Sequence, residues 1–163
     1  MVVTTALELP TSTWTVAVAR HALDGLLDSA GVTAAVCGDL ALALTEACTN
    51  AVRHAAGGSL YRVHLNVDDD RCLMEVCDRG PGFDPRLVPA PDLDGDSRRG
   101  LLIIRAVVDQ IRVDALRPRG TRVAMVKRWH RVFAADLPAA ATTEDRCSGL
   151  ETSQGDLAVP RDC

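Results

Sequence analysis

A chain of 163 residues, 47% of them hydrophobic, is long enough to bury one core of ordinary size. Its formal net charge of −4 is unevenly placed, since residues 1–133 carry 16 Lys+Arg against 16 Asp+Glu while residues 134–163 carry 2 against 6. A neutral body lacks the clustered cations on which direct nucleic-acid binding rests, and no stretch approaches the roughly 18 consecutive apolar residues of a membrane span, so neither DNA nor a membrane is an expected partner.

Met1 to Pro10 has no basic segment followed by a long apolar run, and the expected location is the cytoplasm. A short apolar start at Leu7–Leu9 precedes Pro10-Thr11-Ser12-Thr13, a turn into a helix from about Trp14 to Ala30 that Gly31 closes. A second helix follows Thr33 as its N-cap. At 100° per residue Leu40, Leu44, Ala47 and Ala51 fall within about 60° of one another, and Glu46, Asn50 and His54 form a separate polar row. Gly57-Gly58-Ser59 ends that helix. Tyr61, Val63, Leu65 and Val67 then alternate with Arg62, His64 and Asn66 as a half-buried strand, Asp68 to Arg71 turns the chain, and Cys72–Cys77 returns as the partner of a hairpin.

The segment from Asp78 to Gly100 is rich in Gly, Pro and Asp without periodicity, which predicts a long loop. Leu101–Val108 reads as a helix, Ile111–Leu116 as a strand, Arg117-Pro118-Arg119-Gly120 as a turn, and Thr121–Trp129 as a last strand. The expected architecture is an α/β (α+β) two-layer sandwich: a mixed, mainly antiparallel sheet covered on one face by helices. Residues 1–133 would form the domain, and 134–163, poor in large apolar residues, a disordered acidic tail. Of the six cysteines, Cys37, Cys48, Cys72 and Cys77 lie in periodic apolar segments, and no pair has the C-x-x-C spacing of a metal site, so core thiols are the expectation.

Chemistry-bearing residues stand where elements meet loops. Glu46 and Asn50, four apart, share a helical face, and an asparagine oxygen can ligate a hard cation such as Mg²⁺ beside phosphate oxygens; the same spacing also occurs on ordinary solvated faces. Asp78-Arg79-Gly80-Pro81-Gly82 puts a carboxylate at a strand end, with glycines that let a ligand approach the backbone, although such a turn can be purely structural. Gly100 closes the long loop just before a helix, where unpaired N–H groups and the dipole favour phosphate, with Arg98 and Arg99 beside it.

In this order the features resemble the GHKL superfamily, the ATP-binding domain shared by gyrase, histidine kinases and their relatives. The matching blocks are Glu46-Ala47-Cys48-Thr49-Asn50-Ala51-Val52-Arg53-His54, Asp78-Arg79-Gly80-Pro81-Gly82-Phe83, Arg99-Gly100-Leu101-Leu102-Ile103-Ile104, and Gly120-Thr121. Within it the chain is most similar to small bacterial anti-sigma factors with serine kinase activity, of the RsbW and SpoIIAB type, and Asp109 fits their pattern. The resemblance implies ATP and Mg²⁺ as cofactors. It gives Asn50 the magnesium, Asp78 the adenine amino group, Gly80 and Gly82 the adenine side of the pocket, and Thr121 a supporting place there. Arg98, Arg99, Gly100 and Leu101 fall to the phosphates, Glu46 to the general base, and His54 to a supporting position behind them. It further implies sequestration of a sigma factor, phosphorylation of a serine or threonine on an anti-anti-sigma (STAS-type) protein, a homodimer, and Arg20 on the first helix as a candidate partner contact. Arg98 stands where the family commonly has glycine. The alternative is therefore a non-catalytic, nucleotide-responsive protein-binding regulator of the same fold.

Overall fold

The structure, a computed structural model, describes residues 2–54, 60–80, 96–116 and 118–130, with the backbone alone at 96–98. Five strands and three helices follow in the order β1 (Val3–Pro10), α1 (Thr15–Ala30), α2 (Ala34–His54), β2 (Leu60–Val67), β3 (Arg71–Asp78), α3 (Asp96–Val107), β4 (Gln110–Ala115) and β5 (Thr121–Arg128). The strands form one sheet in the order β1-β2-β3-β5-β4. All four pairings are antiparallel, so the expected mixed, mainly antiparallel sheet narrows to a wholly antiparallel one.

Period-two alternation fixes the register. Tyr61, Val63, Leu65 and Val67 on β2, Cys72, Met74 and Val76 on β3, and Val123 and Met125 on β5 are buried, and they face the helix residues Leu23, Leu27, Leu40, Leu44, Ala47 and Ala51. The outward face carries ion pairs instead, Glu8 with Arg62 and Glu75 with Arg122 across strands, and Arg112 with Asp114 along β4. Such exposed pairs add little stability, and the core carries the fold. Cys48 and Cys72 are fully buried within it, and burial pushes both thiols up to about 12, which keeps them protonated.

Local signals set the helix ends. Gly31, at φ 65°, donates its N–H to Asp28, and Val32 donates to Leu27, the paired bonds that close a helix when the next apolar residue folds back. The start of α1 is anchored through the buried Thr15, whose hydroxyl lies 2.6 Å from the Ser12 carbonyl and 3.0 Å from the Tyr61 hydroxyl. The short apolar start at Leu7–Leu9 belongs to a strand over all of Val3–Pro10, because pairing with β2 supplies hydrogen bonds that the local pattern does not reveal.

One boundary departs further from expectation. The third helix begins at Asp96 rather than after Gly100, so Gly100 lies in its second turn. Gly57 to Ser59, the stretch 81–95 with Gly82, and the tail lie outside the described residues. Leu44 is fully buried between α2 and the sheet. Leu44→Ala should therefore cost about 2–5 kcal/mol in urea unfolding, the range for large-to-small core substitutions.

Candidate functional site

The site is built on four elements. On α2 the residues Glu46, Asn50 and His54 succeed one another at four-residue intervals along one face, the first two partly exposed and the third exposed at the helix end. The α3 helix lies directly against this row. A Cβ added at Gly100 would stand 2.9 Å from Glu46 Oε2 and 3.2 Å from Asn50 Nδ2, closer than side-chain atoms normally approach. Glycine lets the two helices meet here with only the ends of Glu46 and Asn50 between them.

This contact changes the role expected of Gly100. As the fifth residue of α3 its N–H is committed to the carbonyl four residues back, so the free donors of the helix start belong to the first turn, which includes Arg98 and Arg99. Arg99 is exposed, and Leu101 is half-buried against the core. The loop-end position read from the sequence is thus replaced by close packing against Glu46 and Asn50.

At the other side of the cluster, Asp78 ends β3 with only 8% of its surface exposed. Its Oδ1 accepts the Gly80 N–H at 2.8 Å, and the backbone N–H of Thr121, its cross-strand partner, also donates to the carboxylate. Burial pushes the Asp78 carboxyl up from its ordinary value, while the two backbone donors and the nearby His54 pull it down. With the folded pKa above the unfolded one, this group favours folding most below the unfolded pKa and loses that contribution as pH rises through the folded pKa. A carboxylate held dry at such a cost is suited to receive a further donor from a ligand.

Two more glycines lock these parts together. A Cβ at Gly80 would meet the carbonyl of His54, so the turn after β3 is pressed onto the end of α2. Gly120 has φ 122°, and a Cβ there would meet the Asp78 carbonyl oxygen. The sequence marked Gly120 only as the first residue of its block; a glycine opening the last strand was the signal, and the positive φ gives its reason. Asp78, Gly80 and Thr121 thus form one group, Glu46, Asn50 and Gly100 another, and His54 joins them. Arg20 is exposed on α1, an element that contributes nothing to this cluster. Gly82 lies outside the described residues, and of Arg98 only the helical backbone is described.

Known proteins resemble this chain over the elements that carry the cluster. A family model described as a histidine kinase-like ATPase domain matches residues 9–127, which span all four motif blocks. The chain is 30% identical over 135 residues to the serine-protein kinase RsbW of Bacillus subtilis, covering 74% of this chain and 82% of that one. It is 32% identical over 101 residues to an anti-sigma F factor of Pasteuria penetrans, covering 55% and 67%, and 27% identical over 104 residues to that of Clostridium beijerinckii, covering 58% and 72%.

The glycines yield opposite expectations. Gly100→Ala meets only side-chain ends and replaces glycine inside a helix, so thermal unfolding should shift little, while ligand binding beside Glu46 and Asn50 falls. Gly120→Ala meets backbone at a positive φ and should lower the melting temperature by several degrees. Melting curves with and without ATP distinguish the two.

Proposed function

The chain belongs to the histidine kinase-like ATPase domain family, and on that premise we propose that it is an ATP-dependent protein serine kinase acting as an anti-sigma factor. The observation that carries the reading is the packing of Gly100 against Glu46 and Asn50, which brings an amide oxygen and a carboxylate to the start of α3, with the buried Asp78 acceptor beyond the end of the same helical row. A nucleotide lying along α2 would meet Asp78 with its adenine amino group and the Asn50 and α3 end with its phosphates.

Each role follows from the chemistry of the side chain. Asp78 already accepts two backbone N–H groups, and the adenine amino group would be a third donor, one that guanine lacks at that position. Gly80, with Gly82 beyond it, would leave the purine room against the backbone, and Thr121 holds Asp78 in place from the opposite strand. The N–H groups of the first turn of α3, together with Arg99, would hold the phosphates. Asn50 offers a neutral hard oxygen of the kind magnesium takes, and it would hold that ion against the phosphates. Bound there, magnesium supplies the charge neutralisation on which phosphoryl transfer chiefly depends.

Glu46, one turn before Asn50, faces the phosphate end. In the transfer the hydroxyl oxygen of a serine or threonine bonds to the γ-phosphorus and gives its proton to the Glu46 carboxylate. The bond from that phosphorus to the β,γ-bridging oxygen breaks, and ADP departs with the electron pair. The relatives are named as anti-sigma F factors and as RsbW serine-protein kinases. In keeping with those names, the proposed chain sequesters a sigma factor and phosphorylates a protein antagonist; that the antagonist is a STAS-type anti-anti-sigma protein, and that the chain acts in the cytoplasm as a homodimer, is part of the same proposal. No helix among the described residues is long and apolar enough to cross a membrane. Arg20, exposed on α1, is the candidate contact for a protein partner.

Three substitutions test the site. Asn50→Ala should remove the dependence of ATP binding on magnesium, measured by calorimetry with the ion and with chelator, and wild-type affinity unchanged by chelator would count against the assignment. Asp78→Asn presents a donor where an acceptor is needed and should weaken ATP binding at least about tenfold, from the roughly 1.5–3 kcal/mol of a hydrogen bond to a charged group. Glu46→Ala should bind ATP but lose transfer of label to the antagonist protein. Equal transfer by wild type and Glu46→Ala would remove the base, and no transfer by either, with ATP bound, would favour a non-catalytic regulator that uses the nucleotide for shape.

A further inference from the structure

The far end of the α2–α3 pair holds a second junction that none of the motif blocks includes. On β5 the inward-facing residues are Val123, Met125 and then Lys127, so the alternation that builds the core ends on an ammonium group directed toward the helix layer. Its Nζ donates to Asp39 Oδ2 on α2 at 2.8 Å and to the carbonyl of Val107, the last residue of α3, at 2.7 Å. The Lys127 side chain is only 18% exposed. One cation therefore joins three elements, and it sits at the negative end of the α3 dipole, where a cation is favoured.

We propose that Lys127 is a positioning residue for the nucleotide site, setting the separation of α3 from α2 and hence the placing of the α3 first turn over Glu46 and Asn50. The inference rests on the reading that a nucleotide lies along these helices. In both helices seven residues, about 10 Å, separate the Lys127 junction from the Gly100 contact: Val107 from Gly100 on α3, and Asp39 from Glu46 on α2. The helices thus run antiparallel and are fixed at two points, by close packing at the phosphate end and by the ammonium at the other.

Position matters here because only side-chain ends separate the two helices at Gly100. The groups that α3 meets there are Glu46 and Asn50 themselves, so any tilt of α3 about its C-terminus is delivered where the phosphates would bind. Asp109 steadies the same end: its N–H donates to the Val126 carbonyl and its carboxylate accepts the Arg128 N–H at 2.6 Å. Those bonds tie the turn after α3 to β5 only. Lys127 alone among the described bonds at this end reaches α2 as well.

The test measures ATP affinity by calorimetry, at a temperature where every variant is folded, for wild type, Lys127→Met, Lys127→Arg, Asp39→Asn and the Lys127→Met/Asp39→Asn double variant, with nucleotide-free melting in parallel. Lys127→Met and Asp39→Asn should each weaken ATP binding by about three- to thirtyfold, the scale of coupling through a packed network. Lys127→Arg, which keeps the charge and the donors, should recover most of the loss, and the double variant should be no weaker than Lys127→Met alone. A cation with a purely structural place would lower the melting temperature and leave the affinity within twofold, and that result overturns the proposal. So would losses that add in the double variant, or Lys127→Arg as weak as Lys127→Met. Should Lys127→Met not fold, Asp39→Asn, at a position 40% exposed on the surface of α2, decides alone. Absence of ATP binding by wild type would instead overturn the nucleotide reading.

Discussion

Close packing of α3 against α2 at Gly100 is the constraint from which the rest of the site follows. Where a side chain would ordinarily stand, there are instead the ends of Glu46 and Asn50, so α3 is held against the helix carrying the amide and the carboxylate. Helices in globular proteins ordinarily lie 8–10 Å apart, with the side chains at the contact setting the value. A glycine at the contact lowers that limit, and its stability cost within a helix, about 1 kcal/mol relative to alanine, is accepted for the approach it permits. Polar groups on separate helices are thereby kept within reach of one ligand.

The buried Asp78 completes the site by a different physical route. Withdrawing a carboxylate from water disfavours its charged form, and the backbone donors of Gly80 and Thr121 offset part of that cost. These donors come from the tight turn and from the neighbouring strand, both regular backbone, so the acceptor is fixed before any ligand arrives. Gly80 and Gly120 permit this by letting the backbone of α2 and of β3 come close to the turn and to the last strand. The Asp78 end and the Gly100 end of the cluster are thus alike: in each, an absent Cβ allows two elements to touch.

The sheet supplies the frame on which both ends are mounted. Its inward face is continuous from β2 through β3 to β5, and α1 and α2 cover it with the leucines and alanines of their apolar stripes. The same face carries Asp78 at the end of β3 and Lys127 near the end of β5, the two places where apolar alternation yields to a charged residue. Both charges are answered by specific partners rather than by water, as buried polar groups in a packed interior must be. The ion pairs of the outward face, by contrast, are exposed and add little.

Period and punctuation in the sequence determined the elements, their order, the hairpin of β2 and β3, the apolar stripe of α2 and the grouping of Glu46, Asn50 and Asp78 as polar residues at element ends. These are local properties: alternation and helical spacing are written along the chain, and Gly31 stops α1 wherever it lies in the fold. The tertiary structure alone decided the full length of β1, which depends on bonds to β2, and the true start of α3, which a stretch of Gly, Pro and Asp conceals. It also decided that Gly100 serves by lacking a side chain within a helix rather than by ending a loop, and that Lys127, an interruption of the β5 pattern, joins α2 to α3. Contacts between residues tens of positions apart leave no period in a single sequence, and whether a glycine is needed for its own conformation or for a neighbour's approach is settled only where the neighbour stands.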